Sequence, residues 1–169
     1  MIHELAEYER APEQCHITEE QLHAALFGES PAVYVHVAEA RAASPAADAT
    51  SGPTGTQGER ELVGFALWFL NFSTWEGVHG IYLEDLYVRP SARGSGVGKA
   101  LLATLADICV QRGYARLEWW VLHWNPAREF YKAIGAVAMD EWVPYRLSGP
   151  ALRALAGAAP PHEAASPHA

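Results

Sequence analysis

The pattern of hydrophobic and polar positions predicts that the chain opens with two helices. Residues 2–8 have helical periodicity, and a second helix runs from Thr18 to about residue 27, where Gly28 ends it. Thr18 followed three residues later by Gln21 is a capping box, in which each side chain accepts a hydrogen bond from the other residue's backbone N–H.

Strands are predicted next. Residues 33–38 are apolar and β-branched, and residues 62–72 are predicted to pair with residues 81–88 in a long hairpin. Residues 41–58, which separate the first strand from the hairpin, are rich in Ala, Ser, Pro, Gly and Thr and have no periodicity. We interpret them as a flexible loop inserted in one domain, because the strand pattern resumes directly afterwards.

The second half of the chain alternates helices with strands. A helix that follows a glycine-rich turn stops at Gly113. Its apolar face consists of Leu101, Leu105, Ile108 and Cys109. Residues 116–122 predict another strand, and Asn125-Pro126 begins a short helix. Residues 137–147 predict one or two last strands.

A short helix at residues 150–155 and a disordered tail at residues 156–169, rich in Ala, Pro and His, complete the prediction. The order of the elements predicts one domain over residues 1–155. Its fold class is α/β, with a mixed, mostly antiparallel central sheet flanked by helices rather than a doubly wound sheet.

Composition and charge narrow the functional classes. The net charge of −8, from 20 acidic and 12 basic residues, disfavours nucleic acid as a partner, since phosphate binding needs clustered Lys and Arg. No apolar run approaches the ~18 residues of a membrane span, and the first residues do not resemble a signal peptide. With two cysteines, Cys15 and Cys109, we expect a cytoplasmic protein with no disulfide framework and no metal site.

The most informative chemical signal is the turn from Arg93 to Lys99, between a strand and a helix. Glycines there let an anion reach backbone N–H groups at the positive end of a helix dipole. The spacing does not fit a P-loop, because Ala100 follows Lys99, or a dinucleotide fingerprint, because Lys99 replaces its third glycine. The spacing that remains is R-x-x-G-x-G, from Arg93 to Gly98. It indicates either an anion-binding turn or merely a tight turn between the strand and the helix.

This spacing resembles the pyrophosphate-binding motif of the GNAT superfamily of N-acetyltransferases, whose cofactor is acetyl-coenzyme A. The run A-x-x-F-Y-x-x-x-G, from Ala127 to Gly135, is similar to a second element of that family, whose tyrosine donates a proton to the departing thiolate. The resemblance therefore implies that Tyr131 is the catalytic acid. The alternative is that Phe130 and Tyr131 are packing aromatics of a short helix.

Three shorter segments are similar to the diamine (spermidine/spermine) acetyltransferase branch, which includes enzymes that act on thialysine. They are L-A-E-Y-E from Leu5, Y-L-E-D from Tyr82, and W-N at residues 124–125. The resemblance extends from Met1 to about residue 155 outside the predicted loop. It implies a small-molecule amine as substrate and makes a homodimer plausible.

Glu84 is the candidate catalytic base. A primary amine has a pKa near 10.4, so at neutral pH the site must bind an ammonium and remove its proton. A carboxylate suits both tasks when hydrophobic surroundings raise its pKa. Asp85 follows Glu84 and points to the opposite face unless a bulge intervenes, so one of the two is expected to lead catalysis.

The resemblance implies further contacts. Backbone groups at Leu86, Tyr87 and Val88 would hold the pantetheine arm, and an N–H near Leu86 would stabilise charge on the reacting carbonyl oxygen. The pyrophosphate would be held by Arg93, Gly94, Ser95, Gly96, Val97, Gly98 and Lys99. Weaker candidates for the substrate pocket, which surface charge or core packing would also explain, are Glu9, Asp85, Glu118, Trp119, Trp120 and Glu141.

Two features depart from the family pattern. The family opens with a strand and a loop before the first helix, and neither precedes the helix at residues 2–8 here. We therefore expect that the N-terminal strand is missing because the true start codon lies upstream of Met1, rather than because the sheet is shortened. Asn125, a cofactor contact by resemblance, stands one residue closer to Tyr131 than in the family. That spacing weakens the inference for Asn125.

Other functions stay open at this point. The same fold could acetylate a protein, an amino acid or an antibiotic, or could bind acyl-CoA as a non-catalytic sensor. Glu84 and Tyr131 argue against the sensor, because binding alone requires neither residue.

Overall fold

The computed structural model describes residues 1–41 and 60–159. The helices are α1 (Ile2–Tyr8), α2 (Glu19–Phe27), α3 (Val97–Arg112), α4 (Ala127–Ala133) and α5 (Gly149–Ala156). The strands are β1 (Tyr34–Arg41), β2 (Arg60–Ser73), β3 (Val78–Val88) and β4 (Leu117–Glu118). Short 3₁₀ turns lie at Pro12–Gln14 and Pro90–Ala92. The chain divides into two compact units, Met1–Asn125 and the part that begins at Pro126.

The first unit contains a four-stranded sheet in the order β1-β2-β3-β4. The pairs β1/β2 and β2/β3 are antiparallel, and β4 runs parallel to β3. The predicted α/β fold, with its mixed and mostly antiparallel sheet flanked by helices, is therefore confirmed, as is the hairpin of β2 and β3.

The β2/β3 hairpin contains a bulge. Leu67 on β2 is opposite Asp85, whereas the next residue, Trp68, is opposite Leu83. Glu84 is thus the extra residue on β3, and the strand bends there. This bulge determines the directions of the neighbouring Glu84 and Asp85 side chains.

Two groups of apolar side chains hold the sheet between helices. Leu5 of α1 packs with Phe65, Leu67 and Tyr87 of the sheet, and Leu22 of α2 borders this cluster. The predicted apolar face of α3 is buried at the following residues: Leu101, Leu102, Leu105 and Cys109. Ile108, which was predicted on the same face, is only half-buried.

Helix α2 begins as the sequence predicts. The Thr18 hydroxyl accepts a hydrogen bond from the Gln21 backbone N–H at 3.2 Å, and the Gln21 side chain accepts one from the Thr18 N–H at 3.0 Å. The capping box is therefore confirmed.

One strand prediction was too long, and another was wrong. Of residues 116–122, only Leu117–Glu118 pair as a strand, and residues 137–147 contain no strand in the described structure. Apolar residues in the latter stretch are largely exposed, among them Val137 and Val143. An apolar, β-branched run becomes a strand only where a partner strand is present, and no described strand pairs with this one.

Residues 42–58 of the predicted loop and 160–169 of the predicted tail lie outside the described residues. The strand before the loop is longer than predicted, since β1 continues to Arg41.

Candidate active site

Both carboxylates of the Y-L-E-D segment line one cavity. The cavity has a volume of about 530 Å³ and lies in the first unit, where α1, α2 and the segment that joins them face the sheet. The sequence alone placed Glu84 and Asp85 on opposite faces unless a bulge intervened. The bulge at Glu84 supplies that condition, and both residues contribute to the cavity wall.

The remainder of the wall is mainly apolar. Leu5, Ile17, Leu22, Val33 and Leu67 are among its residues, together with several alanines. Gln14, Cys15 and His16 contribute polar groups from the connection between α1 and α2. Among the described residues that line the cavity, none is a lysine or an arginine.

Asp85 has a strongly perturbed acidity. Burial, followed by the negative charges of Glu84 and Glu9, raises the pKa of Asp85 to about 6. Burial also raises the pKa of Glu9. Glu84 itself is exposed at the bulge. The cavity therefore holds one carboxyl group that changes protonation close to neutral pH, beside a second carboxylate that faces solvent.

The glycine turn is open to an anion. Gly94 and Gly96 have φ angles of +79° and +90°, and no heavy atom lies within 4 Å of where a Cβ would stand at either position. Gly96 is the N-cap of α3, and no side chain in the described part of the chain caps that helix. The Ser95 hydroxyl is turned back and donates to the Ala92 carbonyl at 2.7 Å. Among the described residues, the helix N-terminus is thus left open at these two glycines.

Arg93 is held beside this turn by groups that the sequence did not associate with it. Its Nε donates to the Val88 carbonyl at 2.9 Å. Its guanidinium carbon lies 4.7 Å from the ring centroid of Tyr8 and 5.7 Å from that of Tyr87. Cation–π contacts therefore link the start of the glycine turn to the end of α1.

The sequence analysis missed the role of Tyr8 in the site. Besides its contact with Arg93, its hydroxyl donates to Asn125 Oδ1 at 3.2 Å, and its ring lies 6.2 Å from that of Trp124. The L-A-E-Y-E segment was the available signal, but the partners of its tyrosine come from distant parts of the chain. Asn125, predicted to contact the cofactor, is engaged by Tyr8.

Strands β3 and β4 separate soon after they meet. They pair only through Ile81 with Leu117 and Tyr82 with Glu118, and β4 ends there, whereas β3 continues to Val88. Beyond Tyr82, the edge of β3 on this side has no ladder partner among the described residues. Leu86, Tyr87 and Val88, the predicted pantetheine contacts, lie in this stretch.

Several weaker candidates are occupied elsewhere. Glu118 forms an ion pair with Arg116 at 3.1 Å and accepts a hydrogen bond from the Asn71 side chain. Trp120 is exposed and meets Tyr82 edge to face at 6.0 Å, while Trp119 is half-buried. Neither these residues nor Glu9 are part of the cavity lining.

The second unit carries the remaining predicted residues. Tyr131 lies half-buried on α4, with its ring 5.4 Å from that of Phe130. Glu141 lies outside any helix or strand and is exposed.

Within residues 1–41 and 60–159, no cluster of three or more His, Cys, Asp or Glu is arranged to hold a metal ion. Nor does any helix there have the length and apolarity needed to cross a bilayer.

The chain is similar to known proteins in both sequence and structure. Residues 7–136 match the sequence model of the Acetyltransferase (GNAT) family. Thialysine N-epsilon-acetyltransferases of Bos taurus and Sus scrofa are each 40% identical over 161 residues, covering 93% of this chain and 88% of theirs. The solved structure of an integron cassette protein from the mobile metagenome of V. cholerae aligns with a TM-score of 0.66 and 30% identity, over 90% of this chain and 85% of that one.

Proposed function

The chain belongs to the Acetyltransferase (GNAT) family and is an N-acetyltransferase, and we propose that it transfers an acetyl group from acetyl-CoA to the primary amine of a small cationic substrate. The amines of the sequence prediction, namely polyamines, diamines and thialysine-like compounds, are the acceptors to test first. The names of the bovine and porcine relatives support the thialysine-like class.

One observation carries the proposal: Glu84 and Asp85 line the same cavity at the bulge of β3. An ammonium group that enters the cavity meets two carboxyl groups and otherwise mainly apolar wall. Attraction to the carboxylates binds the cation, and transfer of its proton to one of them yields the nucleophilic amine.

The two carboxyl groups suit different tasks. The sequence prediction assigned the base to Glu84, whereas the geometry and acidity favour Asp85, because a pKa of about 6 leaves it ionised at pH 7 and still a better proton acceptor than an ordinary carboxylate. Glu84, exposed at the same wall, would attract and orient the cation. We therefore propose Asp85 as the proton acceptor and Glu84 as its partner.

The glycine turn fits the pyrophosphate of acetyl-CoA. Its positive-φ glycines leave the uncapped N-terminus of α3 accessible, and Arg93 and Lys99 add positive charge. Acetyl-CoA, when bound, supplies the activated acetyl thioester. We propose that residues 93–99 hold its pyrophosphate, that the unpaired edge at residues 86–88 holds its pantetheine arm, and that Tyr131 donates the proton that the departing thiolate requires.

A thiol-release assay with acetyl-CoA and a panel of amines tests this function. Turnover with small primary amines supports it. Turnover confined to a peptide N-terminus, an amino acid or an aminoglycoside would point to the alternative acceptors, and acetyl-CoA binding without turnover would indicate a sensor. A homodimer and a cytoplasmic location stay predictions, which sedimentation and cell fractionation can test.

Substitution of Gly96 by alanine is expected to raise the KM for acetyl-CoA by about 5- to 30-fold, which corresponds to the roughly 1–2 kcal/mol that a side chain at positive φ costs. Gly77, in the β2/β3 turn with φ +70° and equally open space, offers the matched control. Gly77→Ala imposes a similar backbone strain, so it is expected to lower the melting temperature and leave KM unchanged. An equal rise of KM in both variants would contradict the assignment of the turn.

Alkylation of Cys15 is expected to block the acceptor cavity. Cys15 is half-exposed and lines the cavity, whereas Cys109 is only 6% exposed in the core. Treatment with N-ethylmaleimide is therefore expected to remove most amine-dependent thiol release, and saturating amine is expected to slow the loss. The Cys15→Ser variant is expected to keep its activity and to resist the reagent. Inactivation of that variant at the wild-type rate would show that alkylation of Cys15 is not the cause, which would contradict the assignment of the cavity as the acceptor site.

A further inference from the structure

Tyr8 belongs to a stack of two aromatic rings and two guanidinium groups. The guanidinium carbon of Arg93 lies 4.7 Å from the centre of the Tyr8 ring. The Trp124 ring lies 6.2 Å from that of Tyr8, and the guanidinium carbon of Arg10 lies 4.6 Å from the Trp124 ring. All four residues are in the first unit. The stack therefore joins the end of α1 to the glycine turn and to the segment that follows β4.

The side chain of Arg93 is exposed, but the structure holds its guanidinium in one direction. Nε donates to the Val88 carbonyl at 2.9 Å, and the Tyr8 ring lies against the group. The N–H groups of its two terminal nitrogens have no hydrogen-bond partner among the described residues. A guanidinium with such N–H groups binds a phosphate through paired, charge-assisted hydrogen bonds. Arg93 thus presents donors at the start of the turn that we assign to the pyrophosphate.

The ring of Tyr8 is itself held in place. Its hydroxyl donates to Asn125 Oδ1 at 3.2 Å, and Trp124 packs beside it. A long side chain that is mobile before binding loses rotamer freedom when it binds an anion, and that loss lowers affinity. A guanidinium that a carbonyl and a fixed aromatic ring already hold loses less.

On the basis of the proposed function, we infer that Tyr8 is a positioning residue for acetyl-CoA, because its ring holds the Arg93 guanidinium in the direction that binds the pyrophosphate. In this role Tyr8 acts through Arg93. The preceding turns of the same helix line the acceptor cavity with Ile2, Leu5 and Ala6. Helix α1 therefore contributes to both halves of the active site.

Two substitutions of Tyr8 isolate the effect of its ring. Tyr8→Leu and Tyr8→Phe both remove the hydrogen bond to Asn125, but only Tyr8→Phe keeps a ring against Arg93. The Kd for coenzyme A, measured by titration calorimetry, is expected to be about 3- to 10-fold higher in Tyr8→Leu than in Tyr8→Phe, the ratio that corresponds to ordering one long side chain. This measurement needs no turnover.

A truncated thioester separates positioning from a general effect on the fold. S-acetyl-pantetheine carries the acetyl thioester and the pantetheine arm but no pyrophosphate. The ratio of kcat/KM between Tyr8→Phe and Tyr8→Leu is expected to be about 3 to 10 with acetyl-CoA and close to one with S-acetyl-pantetheine. Tyr34 stacks on Trp68 at 4.6 Å in the same unit, and Tyr34→Leu is the control that removes an aromatic contact elsewhere. That variant is expected to keep the wild-type Kd for coenzyme A.

Variants of Arg93 test whether Tyr8 acts through it. Arg93→Lys keeps the positive charge but lacks the planar group that stacks on Tyr8, so it is expected to raise the Kd for coenzyme A. In an Arg93→Met background, the difference between Tyr8→Leu and Tyr8→Phe is expected to disappear, because the residue that the ring positions is absent. Arg93 is exposed, so these variants are expected to fold as the wild type does.

The outcomes distinguish the inference from the function on which it rests. Equal Kd values in Tyr8→Leu and Tyr8→Phe, or an equal loss of kcat/KM with both thioesters, would overturn the positioning role while leaving the acetyltransferase activity in place. A ring effect that persists in the Arg93→Met background would show that Tyr8 does not act through Arg93. Absence of amine-dependent thiol release in the wild type, with either thioester, would overturn the proposed function itself.

Discussion

Replacement of Tyr131 by phenylalanine is expected to lower kcat by about 10²- to 10⁴-fold, the range in which a positioned general acid contributes to a rate. A phenol has a pKa near 10, so it keeps its proton at neutral pH and can donate it to a departing thiolate. The substitution removes only the hydroxyl group. Steady-state thiol release provides kcat, and titration calorimetry provides the affinity for acetyl-CoA, which is expected to stay within a factor of about two.

Tyr145 is a suitable control for this substitution. It lies in the same unit and is 93% exposed, outside any helix or strand. Tyr145→Phe removes the same hydroxyl group from the chain and is expected to leave both kcat and acetyl-CoA affinity unchanged. Wild-type kcat in Tyr131→Phe would remove Tyr131 from the mechanism, and a parallel loss of cofactor affinity would assign it to binding instead.

The parts of the fold that the sequence predicted well depend on local chemistry. The capping box at Thr18 and Gln21 forms because both partners lie within one turn of helix. The glycine turn was found from the R-x-x-G-x-G spacing between a predicted strand and a predicted helix, and Gly96 at the start of α3 has a positive φ, which glycine adopts without strain. Such features need no knowledge of distant residues.

The parts that were missed depend on pairing between distant segments. The bulge at Glu84 arises from the register of β3 against β2, with Trp68 opposite Leu83, and a single strand sequence does not contain that register. The strand predicted at residues 137–147 failed for the same reason. The contacts of Arg93 with Tyr8 likewise join segments far apart in the chain.

Asp85→Asn is expected to lower kcat/KM by about 10²- to 10⁴-fold if Asp85 accepts the proton of the amine. Glu84→Gln, which removes the neighbouring carboxylate of the same wall, is expected to have a smaller effect that is confined mainly to the KM for the amine. The reverse order of the two effects would return the role of base to Glu84.

The pH dependence of kcat/KM separates these roles further. The wild-type rate is expected to fall below pH 6, because Asp85, with a pKa raised to about 6, takes up a proton there. In Glu84→Gln the fall is expected at lower pH, because the charge of Glu84 is one cause of the raised pKa. An acidic limb that stays in place in Glu84→Gln would show that another group controls it.

The Asp85→Asn substitution is expected to increase the stability of the folded protein at pH 8 although it lowers activity. The pKa of Asp85 is about 6 in the folded protein against 3.8 for an unperturbed aspartate, so ionisation opposes folding. The stability contribution of the protonated group is complete below pH 3.8 and is lost as the pH rises through 6. The difference corresponds to at most about 3 kcal/mol. Asp85→Asn is therefore expected to unfold at higher urea concentration than the wild type at pH 8, with the two converging near pH 4. If Asp85 is retained for chemistry, the Asp85→Asn variant is expected to be inactive and more stable than the wild type at pH 8. If Asp85 is retained for packing, the variant is expected to lose both activity and stability.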